Sequence, residues 1–331
     1  MSLDKMLPRK STLDIKTAEA QLHSFESQWA QLSQFEVNGK RIKVFDIKPE
    51  KQKTNIPTLV VPGWGATPNV FKENLRVLAN SKRRSISVEA PHGIEHETQT
   101  PENMGEFADT EVRRIAAFMQ ALDAAGVEKA NAIGHSQGGL DVVIAAEMYP
   151  ERFENIVLVD PAGMIGSDRM RYLAARFTMD AIKGFARSLR DGTVGTQLKI
   201  GSELTKTLSP HPKQSFDQVR TFAAADILQH LENIKAHGIG IIIIHGADDG
   251  AFPMERAQQE IQKRINEGVG KDSEQRSTER LEKITEKFLD GFVSVKGTHA
   301  DFIVHAPEYT RIAEGALSAL EQKKSNKEQV A

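Results

Sequence analysis

Cysteine is absent from the sequence, and this absence excludes three kinds of chemistry at once. No disulfide can form, no thiolate can bind zinc, and no cysteine can act as the nucleophile of an enzyme. Because cysteine usage is also the usual indicator of a redox compartment, that compartment stays undetermined, although a reducing cytosol is compatible with the sequence.

Long apolar runs are lacking as well. No stretch approaches the roughly 18 consecutive apolar residues that a membrane-spanning helix requires. Residues 1–5 are polar and charged, whereas a signal peptide has an apolar core. We therefore predict a cytoplasmic protein, with no membrane among its expected partners.

Neither sign of charge dominates the chain. Lys and Arg total 43 against 45 Asp and Glu, which gives a net charge of -2. Such a balance creates no strong field that would attract a polyanion, so nucleic acid is not an expected partner.

Motifs for cofactors and metals are also missing. No G-x-G-x-x-G or Walker-type loop follows a predicted strand, so no nucleotide cofactor is expected. His92 and His96 are four residues apart with carboxylates nearby, a spacing that suits a metal only on a helix. Pro91 and Gly93 favour a loop instead, and we predict a polar loop without a metal ion.

The N-terminal region carries two different periodicities. Between residues 11 and 34, apolar residues recur three and four apart, which predicts an amphipathic helix that docks on the protein's own surface. From residue 35 to 48 the sequence alternates around Asn38 and Gly39, which predicts a β-hairpin.

Beyond the hairpin, short continuous apolar runs alternate with helical patterns. Continuous apolar strands between helices are typical of a mostly parallel sheet that is covered on both faces. The predicted fold class is therefore α/β with a doubly wound, mostly parallel sheet. The predicted strands are 58–61, 86–88, 130–133, 156–159, 239–244 and 292–295, and the predicted helices are 69–80, 104–125, 137–149, 254–266 and 307–322.

Two intervals are too long to be simple connections. Residues 161–238 contain helical patches at 170–189, 201–208 and 216–234, which indicate an inserted helical cap. Residues 261–290 are dense in charges and are predicted to be a solvated excursion. The predicted organisation is an N-terminal helix over 1–36, an α/β core over 37–160 and 239–325, and a cap over 161–238.

Apolar residues of the cap interval have two interpretations. They either roof a pocket for an acyl or aromatic group, or they form the cap's own core. The residues concerned are Met164, Ile165, Met170, Tyr172, Leu173, Phe177, Met179, Ile182 and Phe185.

The stretch GHSQG at 134–138 lies directly between a predicted strand and a predicted helix. A sharp strand-to-helix turn strains the residue at its centre, and small residues two positions before and after it avoid a clash. Ser136 is thereby predicted to be a nucleophile. A glycine-rich turn that serves only as a bend is the alternative interpretation.

With its flanking strand and helix, the stretch IGHSQGGL at 133–140 resembles the nucleophile elbow of the α/β-hydrolase family. The resemblance covers roughly 37–160 and 239–320 and implies a chain order of serine, acid and histidine. The stretch HGADDGAFP at 245–253 resembles the family's acid loop, in a register that selects Asp249. Asp248 and Asp160 remain alternative acids.

The resemblance implies three further site residues. The stretch GTHADF at 297–302 is similar to the family's histidine loop and points to His299 as the base, with His305 as a competitor. Backbone N–H groups of Gln137 and Trp64 are implied as donors to the oxyanion. The Trp64 ring is free to line a pocket or to cover the end of the sheet.

Taken with the family's chemistry, these residues imply a serine hydrolase that cleaves a carboxylic ester in a small-molecule acyl substrate. The ester would be cleaved through an acyl-enzyme on Ser136, without a cofactor. Acyltransferases, thioesterases and C–C bond hydrolases of the same fold use the same parts and stay open as alternatives. A binding protein that kept the fold without turnover is the remaining alternative.

Overall fold

An eight-stranded sheet forms the centre of the fold in the computed structural model, which describes residues 12–31, 33–37, 40–89, 109–166, 168–269 and 288–330. The strands lie side by side in the order β1-β2-β4-β3-β5-β6-β7-β8. From β4 to β8 all neighbours are parallel, whereas β2 runs antiparallel to both β1 and β4. The strands are β1 (Ser33–Val37), β2 (Lys40–Ile47), β3 (Thr58–Val61), β4 (Ser85–Glu89), β5 (Ala130–His135), β6 (Phe153–Val159), β7 (Gly240–Gly246) and β8 (Gly291–Val295).

Helices cover both faces of this sheet. Leu59 and Val61 pack into one hydrophobic cluster with α3, α4 and α8, while Val60 packs on the other face with α2 and α11. The α/β fold class with a mostly parallel sheet is thus confirmed. The helices are α1 (Thr12–Ala30), α2 (Lys72–Asn80), α3 (Asp109–Ala124), α4 (Gln137–Met148), α5 (Met170–Asp191), α6 (Val194–Leu208), α7 (Pro212–Ala224), α8 (Leu228–Ala236), α9 (Met254–Val269), α10 (Asp301–Val304) and α11 (Ala306–Val330).

The N-terminal elements follow their periodicities. Strands β1 and β2 pair in the predicted hairpin, although its turn at 38–39 lies outside the described residues. Helix α1 packs on the protein's own surface, since Phe25 is buried and the ring centroid of Trp29 lies 4.5 Å from that of Phe45. None of the described helices combines the length and the apolar character needed to cross a bilayer.

Helices α5, α6, α7 and α8 occupy the interval between β6 and β7. The single patch predicted over 216–234 is two helices, because Ala225 adopts an extended conformation and the Asp226 carboxylate accepts a hydrogen bond from the Leu228 N–H at 3.2 Å. Leu231 is buried in the cluster that contains α4. The cap boundaries stay a prediction, and this packing favours an end before α8.

Several sequence predictions fall partly outside the described residues. The loop with His92 and His96 lies there entirely, as do residues 104–108 of the helix predicted to begin at 104 and residues 270–287 of the charged interval. Within the described part, α9 runs to Val269 and the closing helix α11 runs to Val330, beyond the predicted ends.

A close approach of α4 to the sheet fixes the turn around Ser136. A Cβ atom on Gly138 would lie 2.2 Å from the carbonyl oxygen of Val61 and 2.6 Å from that of Pro62. A Cβ atom on Gly134 would lie 2.4 Å from the carbonyl oxygen of Gly138. Both obstacles are backbone, so only glycine fits at these two positions.

Replacement of Gly138 by alanine should therefore destabilise the fold by about 3 kcal/mol or more, because backbone must move to admit one methyl group. The matched control is Gly201→Ala in α6, where an added Cβ meets nothing within 4 Å. Since alanine favours a helix interior over glycine, the control should gain about 0.5–1 kcal/mol. Urea unfolding midpoints measure both, and equal midpoints for the two variants would refute the packing argument.

Candidate active site

Ser136 occupies a strained turn between β5 and α4. Its backbone has φ 57 and ψ -123, a left-handed conformation that costs a non-glycine residue of order 1–3 kcal/mol. Backbone hydrogen bonds hold the turn: the Ser136 N–H donates to the Val159 carbonyl at 3.0 Å, and its carbonyl accepts from Ala162 at 3.0 Å and Gly139 at 2.9 Å. The hydroxyl therefore stands at the carboxyl end of the sheet, where the strand and the helix meet.

His299 joins Ser136 to Asp249 through two hydrogen bonds. Its Nε2 lies 2.9 Å from the Ser136 Oγ, and its Nδ1 lies 2.9 Å from the Asp249 Oδ2. A carboxylate can only accept, so Nδ1 carries a proton, and when the imidazole is neutral Nε2 accepts from the serine hydroxyl. These three side chains, hereafter the serine–histidine–aspartate chain, are all buried.

The acid loop holds Asp249 in place. Its Oδ1 accepts hydrogen bonds from the backbone N–H groups of Ala251 at 2.8 Å and Phe252 at 2.9 Å, which leaves Oδ2 for His299. Burial raises the pKa of Asp249, but the charge and hydrogen bond of His299 outweigh burial and bring that pKa below its usual value. Asp249 is thus the ionised partner of the imidazole.

Asp248, one residue earlier, points away from the imidazole. Its side chain is half exposed at 51% and pairs with Arg187 at 2.9 Å. Of the two adjacent acids, the structure therefore brings Asp249 to His299 and turns Asp248 outward.

Asp160 follows β6 and is completely buried, with a φ of 45. Its Oδ1 accepts the Gly246 N–H at 2.6 Å, and within the described structure no hydrogen bond joins it to His299. Burial, followed by the charge of Asp249, raises the pKa of Asp160 well above its usual range. Burial thus disfavours the charged form of this carboxyl, which lies close to the imidazole.

Three carboxyl groups near His299 determine the pKa of its imidazole. Burial lowers its pKa, but the charge and hydrogen bond of Asp249, together with the charges of Asp160 and Asp180, raise the pKa to about 9. His305, the competing histidine, lies one helical turn after Asp301, with its Nε2 3.9 Å from the Asp301 Oδ1. The structure therefore brings His299, and not His305, to the serine.

His135 supports the histidine loop from below. Its Nε2 lies 2.9 Å from the carbonyl oxygen of His299, so this nitrogen carries the proton and donates. Burial and the charge of His299 lower the pKa of His135 to about 3, which keeps the ring neutral. The sequence motif treats this position as variable, so sequence analysis missed its contact.

The two predicted oxyanion donors flank the serine. Gln137 is the first residue of α4, so its backbone N–H has no acceptor within the helix, and the helix dipole favours a negative charge there. Trp64 follows Gly63, where an added Cβ would lie only 3.0 Å from the Ser136 Cβ. The loop after β3 thus runs against the serine, with Trp64 as the next residue.

Aromatic rings form a roof over the histidine. The Phe177 ring of α5 lies 5.3 Å from the His299 ring and 5.6 Å from that of Phe252, centroid to centroid. The Trp64 ring packs edge-on against Phe222 of α7 at 5.9 Å. Only 5% of Ser136 and 8% of His299 are exposed, so an apolar wall shields the hydrogen-bond chain from bulk water.

Sequence analysis missed a second contribution of α5, which clamps the acid and histidine loops. The Asp180 Oδ1 accepts the Gly250 N–H at 2.8 Å. Arg187 binds Asp248 of the acid loop and Asp301 of the histidine loop, each at 2.9 Å. Asp180 and Arg187 are seven apart and share a helix face, but sequence spacing alone gave no indication of what that face contacts.

Two groups of three side chains bring potential metal-ligand atoms within 4.8 Å of one another, His135 with Asp160 and His299, and Asp160 with His245 and Asp249. Both nitrogens of His299 and both oxygens of Asp249 already make hydrogen bonds within the site. His299 and Asp249 are therefore committed to the serine–histidine–aspartate chain, whereas the His135 Nδ1, the His245 Nδ1 and the Asp160 Oδ2 have no hydrogen-bond partner in the described part of the chain.

Comparisons with known proteins agree with this fold. A bromoperoxidase from Bacillus anthracis superposes with a TM-score of 0.57 at 18% identity, over 87% of this chain and 99% of that one. A carboxylesterase structure from the thaumarchaeon Nitrososphaera gargenis gives a TM-score of 0.58 at 15% identity, over 88% of this chain and 100% of that one. At such identities the likeness concerns the fold.

A curated relative matches a smaller part of the chain. The abhydrolase domain-containing protein abhd-5.2 of Caenorhabditis elegans is 25% identical over 142 residues, which are 40% of this chain and 30% of that protein. This chain thus spans less than a third of that relative's length. The model of the alpha/beta hydrolase fold family matches residues 56–275, more than half of the chain. The chain belongs to the α/β-hydrolase fold family.

Proposed function

We propose that this protein is a serine hydrolase that cleaves a carboxylic ester through an acyl-enzyme on Ser136. The observation that carries the proposal is the hydrogen-bond chain from the Ser136 Oγ to the His299 Nε2 and from the His299 Nδ1 to Asp249, with 2.9 Å at both links. A serine hydroxyl becomes a useful nucleophile when such a base accepts its proton.

In the first half of the reaction, the Ser136 Oγ attacks the carbonyl carbon of the ester while His299 takes the hydroxyl proton at Nε2. Asp249 holds the imidazole by Nδ1 and stabilises the imidazolium that forms. His299 then returns the proton to the departing alcohol oxygen as the C–O bond breaks. The acyl group remains on Ser136 as an ester.

In the second half, water takes the place of the alcohol. His299 accepts a proton from water as the water oxygen attacks the acyl carbon, and Ser136 leaves with that proton. In both halves negative charge builds on the carbonyl oxygen, and the N–H groups of Trp64 and Gln137 are placed to receive it. The products are a carboxylic acid and an alcohol.

The surroundings of the site favour an apolar group next to the reacting carbon. Phe177 and Phe252 both approach the His299 ring at 5.3 Å, and Trp64 with Phe222 continues the aromatic wall. A cavity of about 370 Å³ with a mixed polar and apolar lining lies beside the loop after β3, between Pro62, Gly65, Arg114 and Phe118.

A panel of p-nitrophenyl esters and acyl thioesters of rising chain length tests the reaction class and the size of the pocket together. An ester hydrolase turns over the ester series with water as acceptor. Turnover that requires an added alcohol or amine would instead indicate an acyltransferase, and a preference for the thioester series would indicate a thioesterase.

Labelling by an active-site-directed fluorophosphonate should depend on Ser136. The reagent reacts with a serine that a base activates, so Ser136→Ala should abolish the label. Ser209→Ala, a change at an exposed serine after α6, should leave it intact. The label is read by gel fluorescence, and a label that survives in Ser136→Ala would refute the nucleophile.

The two adjacent aspartates should differ sharply in their contribution. Asp249→Asn removes the acceptor that fixes the imidazole proton on Nδ1, and kcat should fall on the order of a thousandfold or more. Asp248→Asn removes an exposed pair with Arg187, and kcat should stay within roughly threefold of the parent value. Equal losses in ester turnover would contradict the assignment of the acid.

The pH dependence should follow from the raised pKa of His299. The base must be neutral, so activity is lost as the pH falls through the pKa that Asp249 and its neighbours raise to about 9. The acid limb of kcat/KM should therefore lie well above the 6.5 of an ordinary histidine. In Asp249→Asn the limb should move to lower pH, and an unchanged limb in that variant would refute this origin.

A further inference from the structure

An apolar stripe covers the outward face of α5. Five large side chains of this helix are exposed, with between 40% and 63% of their surface accessible. Their spacings of seven, three, three and four residues place them along one side of the helix. We call this stripe the α5 ridge, and it consists of Tyr172, Met179, Ile182, Phe185 and Leu189.

The ridge matches neither of the two interpretations given for the apolar residues of the cap, a roof over a pocket or the core of the cap itself. Leu173 is buried in the core and Phe177 lies over the histidine, but Tyr172, Met179, Ile182 and Phe185 face outward. They are therefore neither a roof for the site nor a core for the cap. These side chains face outward because the opposite face of α5 is the one that packs inward, and Asp180, Gly184 and Ser188 are buried there.

An apolar row of this length is a binding surface. From Tyr172 to Leu189 the ridge spans about 25 Å at the rise of an α-helix. Contiguous apolar surface of that extent on a soluble protein marks contact with a protein or a lipid phase.

The charges around the ridge select between these two partners. Lys183 and Arg190 are seven residues apart and line one edge, and Arg171 lies at the N-terminal end with its guanidinium 4.8 Å from the Tyr172 ring centroid. Of the two acids of α5, Asp180 is buried on the inner face and accepts the Gly250 N–H, whereas Asp191 is exposed at the C-terminal end and lies 3.3 Å from the Arg190 Nε. The ridge is thus edged by three cations against one exposed acid, a local excess of positive charge, although the whole chain has a net charge of -2.

An apolar stripe with Lys and Arg beside it has the chemistry of a helix that lies in the plane of a lipid surface. The apolar side chains enter the boundary between headgroups and acyl chains. The cations meet lipid phosphates and anionic headgroups, which adds an attraction that depends on the charge of the surface. A protein partner would instead need a groove of its own with an apolar floor and an acidic rim.

We propose that the α5 ridge docks the protein on an anionic lipid surface. The helix lies flat on the surface, with the ridge inserted and Arg171, Lys183 and Arg190 at the level of the phosphates. The sequence expectation of no membrane partner rested on the lack of a spanning segment, which docking of this kind does not need.

Docking of α5 would also place the candidate active site next to the lipid. The same helix carries Phe177, whose ring lies 5.3 Å from that of His299, so one helix faces both the surface and the serine–histidine–aspartate chain. The docking itself does not depend on the proposed reaction, and its test can be made on Ser136→Ala.

Cosedimentation of the full chain, as Ser136→Ala, with vesicles of phosphatidylcholine alone or mixed with phosphatidylserine tests the proposal. We expect the protein to pellet with the anionic vesicles and to bind the neutral ones at least tenfold more weakly. Added salt should weaken binding to the anionic vesicles, because it screens the three cations.

Two sets of variants locate the contact. In the same background, Ile182→Glu combined with Leu189→Glu should reduce partitioning into anionic vesicles at least tenfold. Lys183→Gln combined with Arg190→Gln should also lose on the order of tenfold and flatten the salt dependence. Leu22→Glu, which adds one such charge at an exposed leucine of α1, is the control for position and should bind as the parent does.

Three outcomes would overturn the proposal. One is a parent protein that stays in the supernatant with anionic vesicles. Another is a ridge double variant that binds as well as the Leu22→Glu control. The third is a dimer, seen by sedimentation velocity without lipid, that the ridge double variant abolishes, because the ridge would then be an interface between two copies. Circular dichroism melts verify that the exposed substitutions leave the fold intact.

Discussion

The approach of α4 to the sheet is the constraint on which the site depends. Gly134 and Gly138 let helix and strands come within a distance that any Cβ atom would prevent, and the chain between them must turn so sharply that Ser136 takes a positive φ. That strain is offset by the hydrogen bonds to Val159 and Ala162. The same turn directs the free N–H groups of the helix toward the serine, so position and electrostatics have one origin.

The second constraint is the balance between the charge of the His299 imidazole and the acids around it. Asp249, Asp160 and Asp180 all lie near one imidazole in a buried region, and a single ring cannot compensate three negative charges. Asp249 has both the imidazole and two backbone N–H groups as donors, and its pKa is lowered. Burial raises the pKa of Asp160 and of Asp180 and so disfavours their charged forms, whereas Asp249 keeps the donors that stabilise its charge.

Helix α5 connects this chemistry with the protein's surface. Its inner face carries Phe177 over the histidine and Asp180 and Arg187 on the two loops that supply the acid and the base. Its outer face carries the α5 ridge. One helix therefore contacts both loops of the site and presents the ridge on its other side.

Much of the fold and part of the site were determined by the sequence itself. Apolar runs and helical periods gave the strand and helix order, because burial on two faces leaves a pattern that local sequence carries. The turn at Ser136 needs glycines two positions before and after the serine, so the local sequence is enough to predict it. By contrast, the choice of Asp249 over Asp248 depends on loop contacts with Arg187 and His299, and the roles of Asp180 and His135 depend on residues more than 60 positions away. The outward direction of the α5 ridge was decided only by tertiary structure, because periodicity reveals that a helix has two faces, whereas packing determines which of them meets the core.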